Sequence, residues 1–243
     1  MSIRWEERTW PEIESYLKNT SQTVIFPVGS TEQHGPTGIL GIDYLTSQSI
    51  AHQVGEQLGI YVLPPLPFGM AQHHLAFPGT LSLKPSTYLL VIQDLIASLV
   101  RHGVKKIWFI NGHGGNIAPL TTAFCEHLDH DQSVDLQLIN WWHLPEVTDY
   151  EREVFKDQNG FHATCGEISL TQFTHPQAYT RPEIKDLEPG PQKTKWPVSP
   201  EECRKLFPQG HMGGLPTLAN ADHGKKIFHL AVEACVKRIK KNA

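Results

Sequence analysis

Apolar residues recur along this chain in two alternating rhythms. Short apolar runs at 24–28, 60–63, 106–110 and 136–139, bounded by Gly, Pro or polar residues, predict buried strands. Between them the spacing is helical. Leu45 to Leu58 carries Ile50, Val54 and Leu58 on one face, with Gly59 placed to end the helix. Ser86 to Val100 aligns Tyr88, Ile92, Leu95, Ile96 and Leu99 in a stripe that Gly103 closes, and Ile117 to Leu128 resumes the period. Before the first strand, Trp10-Pro11 starts a short helix on which Ile13, Tyr16 and Leu17 share a face. A terminal helix, Asp222 to Lys240, turns Ile227, Leu230, Ala234 and Ile239 inward and ends in basic residues. Strands alternating with helices predict an α/β fold, a mainly parallel central sheet with helices on both faces.

The rhythm weakens after Tyr150. Phe161 to Thr174 becomes helical after Gly166, and 181–217 is rich in Pro with little periodicity, which predicts a long excursion over the surface. The stretch Pro67 to Lys84, with His73, His74 and Phe77-Pro78-Gly79-Thr80, is irregular, and long loops in compact domains tend to carry function or disorder. No internal repeat or linker divides the chain, so residues 1–243 are expected to form one domain.

Composition narrows the classes. The chain has 40% hydrophobic and 19% charged residues and a net charge of −4, which points away from nucleic acid and from an anionic membrane surface. Met1 to Glu7 has no apolar signal core and no run reaches transmembrane length, so a cytoplasmic location is expected. Cys125, Cys165, Cys203 and Cys235 are scattered, which predicts buried reduced thiols and neither a disulfide framework nor a thiolate zinc site. The 14 histidines are the unusual count, several of them in glycine-rich loops.

Three segments carry candidate chemistry. The first follows the 24–28 run: Glu32 and His34 alternate about Gln33, so an extended backbone points them the same way, and Asp43 follows. Zinc takes His nitrogen and carboxylate oxygen, and manganese suits the oxygen donors, so these residues start a metal site. A polar loop in which Asp43 caps the helix from Tyr44 fits the same residues. The second is Asn111-Gly112-His113-Gly114-Gly115-Asn116 at the end of the third apolar run. It is a ligand loop around His113, a glycine-rich turn with an incidental histidine, or an anion site at the start of the helix from Ile117. The third is His162 and Glu167, which follow Trp141, Trp142 and His143 along the chain. They could supply a last ligand and a proton carrier, or Glu167 could simply sit at the positive end of a helix.

Together these segments resemble the creatininase family. The resemblance begins at Pro27-Val28-Gly29-Ser30-Thr31-Glu32-Gln33-His34-Gly35-Pro36 with Asp43. It continues through Phe77 to Thr80, Asn111 to Asn116 and His162-Ala163 with Glu167, and ends near Pro216-Thr217-Leu218-Ala219. It implies a three-layer α/β sandwich, two adjacent divalent cations (Zn²⁺ or Mn²⁺, with Fe²⁺ admissible), hydrolysis of C–N bonds in cyclic or linear amides, and a homohexamer. It implies Glu32, His34, Asp43 and His113 as ligands, with Asp43 bridging, and His162 as the proton-transfer residue. Trp142 or a neighbour would stand near the substrate. The chain also departs from the pattern. Gly114 and Gly115 stand where creatininase has an aromatic residue and a ligating glutamate, so Glu167 is expected to serve as the missing ligand beside its catalytic place with His162. Thr164-Cys165, Ile168 and Leu215 also differ from the family residues.

The function these features predict is a metal-dependent amidohydrolase, creatinine-like in substrate. A formamide or short peptide is the alternative substrate, because Gly114-Gly115 would leave more room. A non-catalytic metal-binding protein is the alternative from another class.

Overall fold

The computed structural model describes residues 2–180, 184, 186–192 and 195–242. Its centre is a four-stranded parallel sheet: β1 (Thr23–Val28), β2 (Tyr61–Val62), β3 (Lys106–Asn111) and β4 (Asp135–Asn140), in the order β2-β1-β3-β4. β1 pairs along its whole length with β3, from Thr23 opposite Lys106 to Val28 opposite Asn111. Strand side chains alternate between faces, and two cores follow from this. Val24, Phe26, Val28, Ile107 and Phe109 face one side, where they pack on α1 (Trp10–Asn19), α3 (Pro85–Arg101) and α4 (Ile117–His130). Ile25, Trp108 and Ile110 face the other, against α2 (Ile42–Leu58), α5 (Pro145–Phe155), α6 (Cys165–Thr174) and α8 (Ala221–Lys241). Helix, sheet and helix make three layers, as expected.

The helix ends follow local chemistry. Thr9 and Glu12 form a capping box at α1, and Pro85 opens α3 as its first residue. Gly59 closes α2 with φ 67, the left-handed conformation that glycine adopts without a Cβ penalty. Tyr88, Ile92, Ile96 and Leu99 of the predicted α3 stripe are buried, whereas Leu95 is 37% exposed.

Some boundaries and elements differ from expectation. α2 starts at Ile42 with Gly41 as its N-cap, so Asp43 is the second helical residue and does not cap the helix. The strand expected at 60–63 shortens to Tyr61–Val62. The weak rhythm after Tyr150 conceals α5 and an antiparallel pair, β5 (Asn159–His162) with β6 (Met212–Gly214). The Pro-rich 181–217 stretch holds α7 (Pro200–Leu206) and β6 instead of featureless loop, and its residues 181–183, 185, 193 and 194 lie outside those described. Three of the cysteines are buried, but Cys125 is exposed. Among the described residues, no helix is long and apolar enough to cross a membrane.

The strand order positions the site. From β1 the chain crosses to β2 on one side, and from β3 it crosses to β4 on the other. The carboxyl ends of β1 and β3 therefore open onto the switch point where α/β sheets bind ligands.

Candidate metal centre

The loops that follow β1 and β3 meet over the first turn of α2. Neighbouring backbones crowd both glycines that end these strands. A Cβ on Gly29 would lie 2.4 Å from the Tyr44 nitrogen, and one on Gly112 would lie 1.9 Å from the Asp43 carbonyl oxygen. This close approach brings Glu32, His34, Asp43 and His113 together, all of them buried. His34 Nε2 lies 3.0 Å from Asp43 Oδ1, while His113 Nδ1 lies 3.0 Å from Asp43 Oδ2 and 3.3 Å from Glu32 Oε2. Each oxygen of Asp43 thus faces a different histidine. Glu167 closes the group, with Oε1 3.9 Å from His34 Nε2. Three groups of possible ligands result, Glu32/Asp43/His113, His34/Asp43/Glu167 and Glu32/His74/His162, and Asp43 belongs to the first two.

The far nitrogen of each ring shows how the near one is presented. His34 Nδ1 donates to Glu32 O at 3.1 Å, and His113 Nε2 donates to Met70 O at 3.0 Å. A carbonyl can only accept, so in the neutral ring the proton sits on the far nitrogen and the lone pair faces the carboxylates. Anchoring of this kind is the usual support of metal-ligating histidines. His162 follows the same plan, with Nε2 donating to Gln33 O at 2.8 Å and Nδ1 3.6 Å from Glu32 Oε1. Ala163 beside it adopts φ 54, a strained angle for a residue with a Cβ.

Sequence reasoning passed over several supporting residues. Ser30 donates to Glu32 Oε2 at 2.8 Å. His74, named only as part of an irregular loop, places Nε2 3.5 Å from Glu32 Oε1 and stacks on His162 with ring centroids 4.1 Å apart. The Gln33 amide fixes its tautomer. Gln33 Nε2 lies 3.0 Å from Gly210 O, 3.0 Å from His74 Nδ1 and 2.9 Å from His162 Nε2. His162 Nε2 spends its proton on Gln33 O and cannot accept, so the two amide hydrogens go to Gly210 O and His74 Nδ1, and His74 carries its own proton on Nε2, toward Glu32. Glu167 takes the helix-start place that one sequence reading gave it. It completes a capping box with Thr164 at the start of α6, and its Oε1 also reaches the centre. In the Asn111 to Asn116 loop the polar side chains are spent within the fold. Asn116 donates to Gly29 O and accepts from Met70 N, and Asn111 donates to His113 O.

Charge is finely opposed here. Burial pushes Glu32 up to about 7 against the pull of His113. Burial also works to raise Asp43, but His34 and His113 outweigh it and hold that carboxyl well below the usual range. Burial lowers both histidines' affinity for protons, yet the facing carboxylates lift His34 to about 10 and His113 to about 9. Protons are thus held on the nitrogens that face the carboxylates, where a divalent cation would displace them. Burial, reinforced by His34, pushes His162 well below its ordinary value and keeps it neutral.

The donor set fits divalent cations. Three buried atoms, Glu32 Oε1, His34 Nε2 and Asp43 Oδ2, have no aligned hydrogen-bond partner, although a histidine nitrogen or carboxylate oxygen lies within 3.0–3.5 Å of each. The possible ligand atoms of each triad lie within 4.8 Å of one another, and mixed imidazole and carboxylate donors suit zinc or manganese. A cavity of about 430 Å³ opens on them, walled by Trp142, Glu151, Asn159, Phe161, His162 and Thr164. A larger apolar groove of about 970 Å³, lined by Trp5, Trp10, Leu17 and Leu95, shares no residue with this cavity.

The family profile "Creatininase: Creatinine amidohydrolase" matches residues 6–239. The chain belongs to the creatininase family. A creatinine amidohydrolase of Pseudomonas putida is 34% identical over 115 residues, which cover 45% of this chain and only 44% of that enzyme. A mycofactocin precursor peptide peptidase of Mycolicibacterium smegmatis is 30% identical over 235 residues, 90% of this chain and 84% of the peptidase. A crystal structure of creatinine amidohydrolase superposes with TM-score 0.88 at 24% identity, covering 99% of this chain and 98% of that one. The same fold recurs in a Zn-Zn creatininase (TM-score 0.83, 23% identity, 100% and 98% covered) and a Mn creatininase (TM-score 0.84, 23% identity, 100% and 99% covered).

Within the creatininase family, the departure at Gly114-Gly115 divides in two. A Cβ on Gly114 would meet nothing within 4 Å, so this residue does leave open space in the cavity. A Cβ on Gly115 would lie 2.2 Å from Met70 O and 2.4 Å from His113 Nε2. The missing side chain at 115 therefore adds no room for substrate. It admits the very hydrogen bond that fixes the His113 tautomer.

Proposed function

We propose that this chain is a divalent-metal-dependent amidohydrolase that cleaves a C–N bond in a cyclic or linear amide, with creatinine to creatine as the first reaction to test. The observation that carries the reading is the division of Asp43 between two triads, each with an inward-facing histidine nitrogen. Glu32, Asp43 and His113 would hold one cation, and His34, Asp43 and Glu167 the other, Zn²⁺ or Mn²⁺. Such a pair supplies a hydroxide nucleophile near neutral pH and polarises the carbonyl. The chain's own residues do the rest. Neutral His162, anchored through Nε2, offers Nδ1 to take the proton of the attacking water and then return it to the departing nitrogen. It must therefore act as a base before it can act as an acid. Trp142 and Phe161 wall the cavity and limit water around the amide.

A second reading keeps the chemistry and takes a short peptide as substrate. The peptidase similarity over 90% of the chain favours it, as does the open space beside Gly114. One domain over the whole chain and a homohexamer belong to the same proposal, the latter expected from the family resemblance and tested by light scattering.

The functional test uses protein stripped of metal and reloaded with Zn²⁺ or Mn²⁺, offered creatinine and a panel of dipeptides beside the variant Glu32→Gln. Metal-dependent cleavage that disappears in the variant is expected, and the substrate cleaved separates the two readings. Cleavage that survives in Glu32→Gln would overturn the ligand assignment. Two bound metals without turnover of any amide would leave a metal-binding protein.

A further inference from the structure

Glu151 stands where packing alone would place an apolar residue. It lies between Val147 and Phe155 on the buried stripe of α5, one turn from each, and is itself only 6% exposed. Burying a carboxyl without compensation is costly, yet this one has a built setting. Its Oε2 accepts from Asn159 Nδ2 at 3.1 Å, and Asn159 Oδ1 in turn accepts from Gly166 N at 3.0 Å. Gly166 makes the room, since a Cβ there would lie 1.7 Å from Glu151 Oε1. Among the described residues, no cationic side chain pairs with Glu151, and it belongs to neither metal triad. Glu151 nevertheless lines the same cavity as Glu32, Asp43 and Glu167, together with Trp142 and Phe161. The cavity's own cations, Arg152 and Lys156, are exposed, and Arg152 is already paired with Asp149 at 3.0 Å.

A buried carboxyl lacking a counter-ion, in a cavity that aromatic residues also line, matches a cation rich in N–H donors. We propose that Glu151 is a specificity-determining residue that receives an ammonium or guanidinium group of the substrate while the scissile amide lies at the metal centre. Asn159 and Gly166 position its carboxyl. The inference rests on the metal-centre reading above and adds the substrate's second recognition point.

The test is calorimetric titration of Mn²⁺-loaded protein, above the pH of about 8 to which burial lifts Glu151 so that its carboxyl is ionised, with two probes, acetate and guanidinoacetate. Both carry the same carboxylate for the metals, and the second adds a guanidinium. A charge-assisted hydrogen bond predicts that the wild type binds guanidinoacetate at least about tenfold more tightly than acetate. The ratio is what the experiment reads. In Glu151→Gln, which keeps the volume and can still accept from Asn159, the ratio should fall to about one, and Glu151→Asp should restore part of it. A thermal melt of each variant checks folding. An unchanged ratio in folded Glu151→Gln would mean that Glu151 only braces α5 against β5, and would overturn the proposal. So would a wild-type protein that binds acetate but shows no preference for guanidinoacetate, and that result would leave the metal centre standing. Failure to bind Mn²⁺ at all would remove the centre and this inference with it.

Discussion

Gly112→Ala is the sharpest single test of how the centre is assembled. A Cβ at this position would lie 1.9 Å from Asp43 O, a backbone atom, whereas real Cβ atoms essentially never come within 3.0 Å of such a neighbour. The end of β3 and the first turn of α2 must therefore part by about 1 Å, and overpacking of that kind costs about 1–3 kcal/mol. Asp43 moves with its own carbonyl, and it is the carboxylate common to both triads. Loss of supporting geometry around a ligand typically lowers metal affinity about 10–100-fold, and a 1 Å misplacement can cost about 10²-fold in rate. Competition against a fluorescent chelator should thus show both sites of Gly112→Ala weakened together. The control lies two residues along the same loop. Gly114→Ala meets nothing within 4 Å, so its metal affinity should stay at the wild-type value. Wild-type affinity at both sites in Gly112→Ala would refute the idea that this backbone contact sets the ligand.

Three further outcomes are expected. Stripping the cations should lower the melting temperature by roughly 5–11 °C per site, because about 100-fold excess over Kd is worth about 2.7 kcal/mol and each kcal/mol moves a chain of this size by about 2–4 °C; calorimetry with and without chelator measures it. His74→Ala removes the ring whose Nε2 lies 3.5 Å from Glu32 and should weaken the Glu32 site about 10–100-fold while leaving the His34 site nearer its normal affinity, which metal titration resolves. Burial, with the negative Glu167 nearby, pushes Glu151 up to about 8 from a model-peptide value of 4.5. The folded state therefore holds this proton more tightly, and the stability it contributes is fully present below pH 4.5 and lost as pH rises through 8. Glu151→Gln should flatten that part of the stability profile in denaturant melts, and an unchanged slope between pH 5 and 8 would count against a buried acid.

Most of the sheet was legible because its strands are buried on both faces and read as continuous apolar runs. Val24 to Val28 and Lys106 to Ile110 lie within one residue of the observed strands. Glu32, His34, Asp43 and His113 were legible for a related reason. Each is a chemistry-bearing residue soon after such a run, where the strand order places the switch point. His74 was not, since its partners Gln33 and Glu32 lie about forty residues earlier and only the folded loop joins them. The His73-His74 pair ahead of Phe77-Pro78-Gly79-Thr80 was the available signal, but it did not say what the second histidine would touch.

α5 was hidden by the residue that matters most on it. Leu144-Pro145 and Glu146 are ordinary signals for a helix start, and Val147, Glu151 and Phe155 fall four residues apart on its buried face. Read as hydrophobicity, that stripe breaks at its middle position, because an acid occupies it. A charged residue at a core position is normally evidence against a buried helix, and local rules of this kind fail where a side chain serves a site at the expense of packing. The failure is then informative in itself. The one interruption of the α5 stripe faces the cavity of the metal centre, and the small residue that accommodates it, Gly166, directly precedes Glu167, which reaches that centre from the other side. The β5–β6 pair was unreadable for a similar reason. Gly160 and Gly214 are needed there for close backbone approach, since a Cβ on Gly160 would lie 2.6 Å from Met212 O, Gly213 takes φ 73 against the Phe161 ring, and glycines carry no apolar pattern. Thus the segments that pack the sheet announce themselves by periodicity, and those that wall the cavity are written in residues that break it.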